Sequence, residues 1–375
     1  MTSSAASSRR IAIANPFCWP EVRRGSERLL NELSGYLARR GNAVSMVVSA
    51  LDPARVVTPD GVAARVVPQH RGPNWPGFFD AKIGFGFRAA SVLGDGFDSI
   101  HCLSHFDGFA AARAAGRPRF VLHCVGIPAR AYFRRLPAEW LMFHRAMRAA
   151  REVLVISEAA REALRRDWGR EGVILPPPAS IDLFTAQPKP PPANDILFSG
   201  SADEERKGAA LLARAFGVLR RDVPAATLTF SGAASDATRQ RILAAADPDA
   251  HAAIRFLGPG NVADLPRIYA EAAVLALPAI WEAFGMVLVE ALAAGTPVVG
   301  CDHGGIPDVV SDRRIGRLFA PGRLRGESDN VAGLVVALGE ALDLARDPET
   351  SARCRAHAAG FGWAALGPRY AALHE

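Results

Sequence analysis

Cysteine is scarce in this sequence and is not arranged in pairs. The 375 residues include five cysteines, an odd number, and no C-x-x-C spacing occurs. These features argue against a disulfide framework or a cysteine zinc site, and they favour reduced thiols in a cytoplasm. The five are Cys18, Cys102, Cys124, Cys301 and Cys354.

A stretch that could span a membrane is also lacking. The longest apolar segment, residues 283–301, contains Glu290 and a Gly-Thr-Pro break, and its pattern changes from helix to strand. The start, MTSSAASSRR, carries charge but no apolar segment of the kind that signal peptides have. We therefore expect a cytoplasmic protein, and peripheral contact with the inner face of a membrane stays open.

The sequence has no run of five or more basic residues, although its net charge is +6 and its pI about 9.4. Such a surplus favours anionic partners, which include nucleotide phosphates, acidic lipids and nucleic acid. The arginines are scattered over many predicted helices, and no known nucleic-acid-binding module is visible. We expect no nucleic-acid partner.

Two short strings match chemical motifs without the context that those motifs need. Gly84, Gly86 and Ala89 fit G-x-G-x-x-[GA], but the preceding residues make a poor strand, which disfavours a nicotinamide-dependent oxidoreductase. Asp247-Pro248-Asp249 spells D-x-D, a metal motif, but a proline turn at a predicted helix end explains it. We expect no metal.

What is present is an alternation of strands and helices that occurs twice, which predicts two doubly wound parallel sheets. In the first half the strands are predicted at 11–14, 43–49, 99–103, 120–125 and 153–157, and the helices at 26–40 and 138–151. In the second half the strands are predicted at 195–200, 226–231, 253–257, 273–277 and 297–300, and the helices at 208–221, 236–246, 262–271, 285–294 and 362–373.

Between the two halves the chain is dense in proline, with LPPPAS followed by PKPPPA. Such a segment behaves as a semi-rigid linker, and we place the domain boundary near residue 190. Two Rossmann-like domains of this kind imply a ligand cleft between the carboxyl edges of their sheets.

The most informative segment reads PAIWEAFGMVLVEALAAGTPVVGCDHGGIPDVV. Glu282 lies in a loop before a predicted helix that begins near Gly285, and Glu290 lies one to two turns inside that helix. The free amides of Gly285, Met286 and Val287, with the positive end of the helix, would form an anion site. The two carboxylates could accept hydrogen bonds from sugar and ribose hydroxyls on either side of a phosphate.

Each glutamate also has an ordinary structural interpretation. Glu282 could cap the helix, and Glu290 could be a solvated helix residue. Glu290, however, stands between Val289 and Ala291 in an apolar run, where a carboxylate needs a partner. The segment as a whole favours ligand binding.

With these residues the chain resembles the GT-B retaining glycosyltransferases, in particular glycosyltransferase family 4. The family pattern is E-x-F-G-x-x-x-x-E, followed by A-x-A-x-G-T-P-V-V and G-G-x-x-[ED]. The matching residues are Glu282, Phe284, Gly285, Glu290, Gly295, Thr296, Pro297, Gly304, Gly305 and Asp308. The resemblance implies that Glu282 contacts the donor sugar, that Glu290 contacts the ribose, and that the amides around Phe284 and Gly285 face the sugar and diphosphate.

A second match lies in FSGSADEERKG, the segment that ends at Gly208. The family has G-R-x(4,5)-K-G here, and its Arg and Lys bind the diphosphate. Lys207 and Gly208 match, and Gly200 is also assigned to donor binding. Ser201 stands where Arg is expected, with Arg206 beside the lysine as a candidate substitute. Taken alone, Lys207 could be an ordinary surface lysine near a helix start.

Three further positions are assigned to donor binding. Gly25, in the loop PEVRRGSER, precedes a helix and matches a glycine-containing loop that lies close to the donor phosphates and acceptor in the family. In the same loop, Arg24 is either a phosphate contact or a surface charge. Gly260 is the third position.

His101 and His123 lie near the carboxyl ends of predicted strands. The family has H-x-H-S after the fourth strand, and this chain reads HCLS, so that His101 matches and Leu103 does not. The family also has a histidine just before a G-I-P-like turn, at the position of Val125 here, and His123 lies two residues earlier on the same face of the strand. We assign both histidines to the acceptor side, with a satisfied structural histidine as the alternative for each.

The tail FGWAALGPRYAALHE resembles the family's C-terminal W-x(5)-R-Y helix, which crosses back onto the N-terminal domain. The resemblance thus implies a GT-B architecture over essentially the whole chain. The expected domains are a Rossmann-like acceptor domain over residues 1–190, completed by a helix at about 360–375, and a donor domain over residues 191–359.

The predicted function is the metal-independent, retaining transfer of a sugar from a nucleotide sugar, such as a UDP- or GDP-sugar, to an acceptor hydroxyl. The predicted catalytic residues are His123, Lys207 and Glu282. The base, the sugar, the acceptor (a small molecule, a glycan or a lipid-linked molecule) and the oligomeric state stay open. The alternative, motivated by Ser201 and Val125, is a nucleotide-sugar-binding protein of the same fold without transferase turnover.

Overall fold

The structure is a computed structural model that describes residues 8–22, 25–69, 79–134, 136–190, 193–324 and 328–375. It divides into two compact units, the first comprising Met1–Pro177 with Leu366–Glu375 and the second comprising Pro178–Ala365. The chain passes between the units at the first proline-rich segment, and not at the second one near residue 190, where the sequence predicts the change. Proline neither continues a helix nor donates to a sheet, so both segments have the composition of a boundary.

The first unit is built on a seven-stranded parallel sheet with the order β3-β2-β1-β4-β5-β6-β7. The strands are β1 Arg10–Ala14, β2 Ala43–Ala50, β3 Ala63–Pro68, β4 Ser99–Cys102, β5 Phe120–Cys124, β6 Glu152–Val155 and β7 Val173–Ile174. Every residue of β4 and β5 is buried, as expected where both faces of a parallel sheet are covered.

Helices connect these strands. They are Gly25–Arg39, Phe85–Leu93, His105–Arg113, Arg130–Phe133, Pro137–Ala149 and Glu158–Trp168, with a 3-10 turn at Pro53–Arg55 and a π-helical turn at Asp80–Gly84. The string that fits a dinucleotide motif begins at Gly84 in the π-helical turn and continues through Gly86 and Ala89 in the helix Phe85–Leu93. A Cβ on Gly86 would come within 2.2 Å of the Met142 Cε, so this glycine permits close packing.

The second unit is built on a six-stranded parallel sheet with the order β10-β9-β8-β11-β12-β13. Its strands are β8 Asp195–Ser199, β9 Thr227–Ser231, β10 Ile254–Gly258, β11 Val274–Leu277, β12 Val298–Cys301 and β13 Gly316–Phe319. The helices are Asp182–Thr185, Ala209–Leu219, Asp236–Ala245, Leu265–Glu271, Met286–Ala293, Ile306–Val309, Val331–Arg346 and Thr350–Ala359, with 3-10 turns at Glu205–Lys207, Pro248–Ala253 and Val262–Asp264.

The last helix, Trp363–Ala372, ends within the first unit, in agreement with the predicted return of the C-terminal helix. There the Tyr370 hydroxyl donates to the carbonyl of Pro176 at 3.1 Å. The prediction of two Rossmann-like parallel-sheet domains is confirmed. The five cysteines are free and buried, and no helix among the described residues has the length and apolar character needed to cross a bilayer.

Candidate active site

Glu282 lies in the loop between β11 and the helix Met286–Ala293, and the glycine pair of the motif holds this loop in place. The amide of Gly305 donates to the carbonyl of Glu282 at 2.8 Å. Gly304 has a φ of +65°, and a Cβ there would lie 2.3 Å from the same carbonyl, so that only glycine fits. The G-G motif therefore fixes the backbone that carries the Glu282 carboxylate, whose side chain is 20% exposed.

The helix Met286–Ala293 begins at Gly285, which has a φ of +96° in the left-handed region that favours glycine. The amides of Met286 and Val287 belong to the first turn, where a helix offers no acceptor of its own, and both residues are partly exposed. The positive end of the helix reinforces these donors. This arrangement suits an anion, as the sequence predicts.

The side chain of Phe284 does not belong to this polar surface. It is buried and packs edge-on against Phe361, with the ring centroids 5.6 Å apart. The Phe284 ring is thus a core group of the second unit, and only its backbone remains available for the predicted donor contact.

Glu290 is 4% exposed on a helix whose neighbouring residues are apolar and buried. The hydroxyl of Tyr269 donates to its Oε2 at 3.4 Å, and the Ser199 hydroxyl lies 2.6 Å from the same tyrosine oxygen. The expected partner for a carboxylate in an apolar run is therefore present, but the sequence did not identify Tyr269.

Two basic side chains come to the same place as Glu282. The Arg206 Nη1 donates to the Glu282 Oε2 at 3.2 Å, and its Nη2 donates to Glu204 at 2.5 Å. The Lys207 Nζ lies 3.6 Å from Glu204, and it would lie 3.1 Å from a Cβ built on Gly200. The structure thus brings Arg206, Lys207 and Glu282 together at the carboxyl edge of the second sheet.

A backbone bond joins the two loops that carry these groups. The amide of Ile280 donates to the carbonyl of Arg206 at 2.8 Å. Ser201 lies in the turn before Glu204, partly exposed, and it offers a hydroxyl where the family motif has a guanidinium. Arg206 is the cation that the chain places next to Glu282 instead.

Trp281 is a residue of this site that sequence reasoning missed. It is 52% exposed and has a φ of +58°, an unusual conformation for a bulky side chain. Its amide donates to the His303 Nδ1 at 3.1 Å, and the two rings meet edge to face at 4.6 Å. Burial lowers the pKa of His303. The family pattern begins at the following glutamate and gives no signal for this tryptophan.

His101 and His123 lie in the interior of the first unit, and both side chains are fully buried. The His123 Nε2 lies 3.1 Å from the carbonyl of Leu175, and the His101 Nε2 lies 3.3 Å from the His123 Nδ1. Two further contacts extend this series of hydrogen bonds, which we call the histidine chain. The His374 Nε2 lies 3.3 Å from the His101 Nδ1, and the Ser99 hydroxyl lies 2.9 Å from the His374 Nδ1. This arrangement favours the structural alternative for both histidines over the predicted contact with an acceptor.

Burial sets the protonation of this histidine chain. It lowers the pKa of His123 and of His374 to about 4, and that of His101 well below its usual value. A carbonyl can only accept, so the His123 Nε2 carries a proton, and each ring in turn donates from Nε2 and accepts at Nδ1. All three rings are satisfied as neutral imidazoles.

The remaining predicted positions carry less structural information. Arg24 lies outside the described residues. Gly25 is the first residue of the helix Gly25–Arg39, and Gly260 lies in an exposed loop after β10; a Cβ on either would meet nothing within 4 Å. Within the described ranges no group of three or more His, Cys, Asp and Glu residues is arranged to hold a metal ion, and Asp247 pairs with Arg221.

Two family models match consecutive parts of the chain. Glycosyltransferase Family 4 matches residues 23–182, and Glycosyl transferases group 1 matches residues 181–332. The second match contains the glutamates, the glycine pair and the basic turn described above.

Curated relatives share part of the sequence. D-inositol 3-phosphate glycosyltransferase 2 of Catenulispora acidiphila is 32% identical over 204 residues, which are 52% of this chain and 43% of that protein. D-inositol 3-phosphate glycosyltransferase of Nocardia farcinica is 33% identical over 205 residues, which are 54% of this chain and 41% of that protein. The match thus spans less than half the length of these relatives.

Solved structures share the fold over nearly the whole chain. Sucrose-phosphate synthase from Thermosynechococcus elongatus superposes with a TM-score of 0.78 at 20% identity, covering 98% of each chain. Anabaena HepE in complex with UDP and glucose superposes with a TM-score of 0.74 at 18% identity, covering 97% of this chain and 99% of that one. At such identities the likeness concerns the fold.

Proposed function

Since this chain belongs to the GT-B glycosyltransferases of the family 4 type, we propose that it transfers a sugar from a nucleoside-diphosphate sugar to an acceptor hydroxyl. We further propose that the anomeric configuration is retained and that no metal takes part. The observation that carries the proposal is the meeting of Arg206, Lys207 and Glu282 in one unit that also contains the helix Met286–Ala293.

In this proposal the protein's own positive groups stabilise the departing diphosphate. Lys207 and Arg206 supply two cations, and the first turn of the helix Met286–Ala293 supplies amide donors and the positive end of a dipole. Charge develops on the leaving diphosphate as the bond to the sugar breaks, and fixed donors directed at developing charge are usually the largest catalytic contribution.

Glu282 and Glu290 then recognise the two ends of the donor. Glu282 orients the sugar through its hydroxyls, and its salt bridge with Arg206 couples the carboxylate to one of the cations proposed to bind the diphosphate. Glu290 accepts from the ribose hydroxyls. The acceptor hydroxyl attacks from the face that the diphosphate leaves, which gives retention.

Fewer observations bear on the acceptor than on the donor. His101 and His123 are buried and bonded to each other, so we do not propose them as acceptor contacts. The names of the curated relatives specify D-inositol 3-phosphate, which makes this compound the first acceptor to test among hydroxyl-bearing small molecules, glycans and lipid-linked acceptors.

The test is donor hydrolysis and transfer by the purified chain. UDP-, GDP- and ADP-glucose are first screened by thermal shift, and release of the nucleoside diphosphate is then measured with and without D-inositol 3-phosphate, in the presence of EDTA. We expect slow release from one donor without acceptor, and proton NMR of the early product should show the donor's anomeric configuration. Inverted product, or release that stops with EDTA, would contradict the finer proposal.

One observation keeps the second candidate function in view. Ser201 occupies the position of a phosphate-binding arginine, which favours a chain that binds a nucleotide sugar without turning it over. In the same experiment that protein would show a thermal shift with a donor but no release of nucleoside diphosphate and no transfer.

A further inference from the structure

The carboxylate of Glu290 needs a group outside its own helix to fix its orientation. Its carboxylate is buried among apolar residues of the helix Met286–Ala293, where it costs free energy unless donors hold it. A carboxylate that accepts hydrogen bonds from ribose hydroxyls must also point in one direction, because hydrogen-bond strength falls steeply with misalignment. Some group outside this helix must therefore set its direction.

Tyr269 lies where it can orient the Glu290 carboxylate. It belongs to the helix Leu265–Glu271, its side chain is fully buried, and its hydroxyl donates to the Glu290 Oε2 at 3.4 Å. Because the tyrosine proton is directed to the carboxylate, the Ser199 hydroxyl, 2.6 Å from the Tyr269 oxygen, is the donor in that second bond. The order of donation is thus Ser199 to Tyr269 to Glu290, and it starts at the last residue of β8.

Tyr269 is also held at its backbone and its ring. The Thr296 Oγ1 donates to the Tyr269 carbonyl at 2.6 Å and accepts from the Lys189 Nζ at 2.6 Å. The ring of Phe184 stacks on the tyrosine ring, with the centroids 5.5 Å apart and the planes 28° from parallel. A side chain fixed at several points loses little further freedom when it orients a partner.

We infer that Tyr269 is a positioning residue for ribose recognition, holding the Glu290 carboxylate in the orientation that accepts from the ribose hydroxyls of the donor. This inference rests on the proposed function. A carboxylate offers about four acceptor sites, so the bond from Tyr269 leaves capacity for the 2′- and 3′-hydroxyls. Tyr269 itself does not touch the nucleotide.

The experiment compares ligands with and without ribose hydroxyls. The wild-type chain and Tyr269→Phe are titrated by calorimetry with UDP, GDP and ADP, each alongside its 2′,3′-dideoxy analogue. For the nucleotide that the wild type prefers, we expect Tyr269→Phe to weaken binding about tenfold. Binding of the dideoxy analogue should change less than about twofold, because it makes no bond to Glu290.

Two further variants secure the interpretation. Ser199→Ala removes the donor to Tyr269 without touching the ring, and it should show the same selectivity with a smaller loss, about threefold. It also serves as the test if Tyr269→Phe does not fold. Tyr370→Phe removes a buried tyrosine hydroxyl in the other unit and should leave both affinities as in the wild type.

The outcomes separate this inference from the proposed function. Equal losses for the ribose and dideoxy ligands, or no loss for either, would show that Tyr269 is only a structural residue and would overturn the inference alone. A wild type that binds none of the three nucleotides would overturn the proposed function, and the inference with it.

Discussion

The guanidinium of Arg206 donates to the carboxylate of Glu282 at 3.2 Å, although 76 positions separate the two residues in the sequence. The bond joins the turn after β8 to the loop after β11, and the backbone bond from Ile280 to Arg206 reinforces the connection. Because neighbouring parallel strands end at the same edge of a sheet, both loops come together there. The group proposed to orient the sugar is thereby coupled to a group proposed to bind the diphosphate.

Replacing Lys207 tests the leaving-group role. Lys207→Ala removes an ammonium that is proposed to stabilise the departing diphosphate, and we expect kcat to fall about 100-fold or more. Arg267→Ala, which removes an exposed cation paired with Glu271 elsewhere in the same unit, should leave kcat unchanged. Release of nucleoside diphosphate under saturating donor is the measurement. An unchanged kcat for Lys207→Ala would remove this lysine from the mechanism.

Two substitutions test whether Arg206 takes the role of the arginine that the family motif has at the position of Ser201. Arg206→Ala should raise the KM for the donor about tenfold, because a charged hydrogen-bond donor to the diphosphate is lost. Adding Ser201→Arg to this variant should recover part of that loss by restoring the family's arginine. If Arg206→Ala leaves the KM unchanged, Arg206 is not the substitute, and its contact with Glu282 is only a surface salt bridge.

Glu204 occupies the position of a competitor for the diphosphate. Its carboxylate pairs with both Arg206 and Lys207, so a diphosphate that binds these two cations as proposed must displace it. Glu204→Gln should therefore tighten UDP binding about threefold at low salt, a size typical of an exposed ion pair, and leave the binding of uridine unchanged. Calorimetry at low and high salt measures this change.

The neighbouring residue gives the matched control for this substitution. Glu205 is also exposed and lies in the same turn. Glu205→Gln makes the same change of charge next to the same two cations, so it shows how much of any effect is general. If both variants tighten UDP binding equally, the local net charge and not the Glu204 pairing sets the affinity.

The sequence predicted the central strands within one or two residues, because a strand covered on both faces is a short, continuous apolar run. Three strands were not predicted from the sequence, each for a physical reason. β3 has exposed residues along much of its length, and β7 has only two residues. β13, at the edge of its sheet, has two half-buried positions among its four. These three edge strands lack the continuous apolar run on which the interpretation relies, whereas β10, the remaining edge strand, was predicted.

The candidate site was predictable where chemistry follows from adjacent residues, and not where it depends on contacts between distant ones. The segment around Glu282 and Gly285 was identified from its spacing, whereas Tyr269 and Trp281 were not, because nothing near them in the sequence marks them as polar partners. His123 was assigned to the acceptor side because it lies near the end of a strand, two residues before the position of the family's histidine and on the same face. The hydrogen bonds of His123 lead through His101 to His374, a contact across hundreds of residues that no local pattern encodes.

The histidine chain predicts how the stability of the first unit depends on pH. Burial lowers the pKa of His374 to about 4, whereas an unfolded histidine titrates near 6.5, so the unfolded chain binds more protons between these values. The contribution of His374 is fully present above about pH 6.5 and is lost as the pH falls towards 4, at up to about 1.4 kcal/mol per pH unit. His374→Gln should therefore flatten the pH dependence of the free energy of unfolding in this window.

Urea unfolding followed by circular dichroism between pH 4.5 and 7.5 measures this slope, provided that it is compared with a variant that is merely less stable. Leu366→Ala removes a buried side chain from the terminal helix that precedes His374 without removing a titrating group, so its curve should run below that of the wild type and parallel to it. The curve of His374→Gln should instead approach the wild-type curve as the pH falls, because the wild type loses a contribution that the variant never had. Parallel curves for both variants would mean that protonation of the histidine chain does not limit stability in acid, and the neutral order of donation from Ser99 to Leu175 would lose its support.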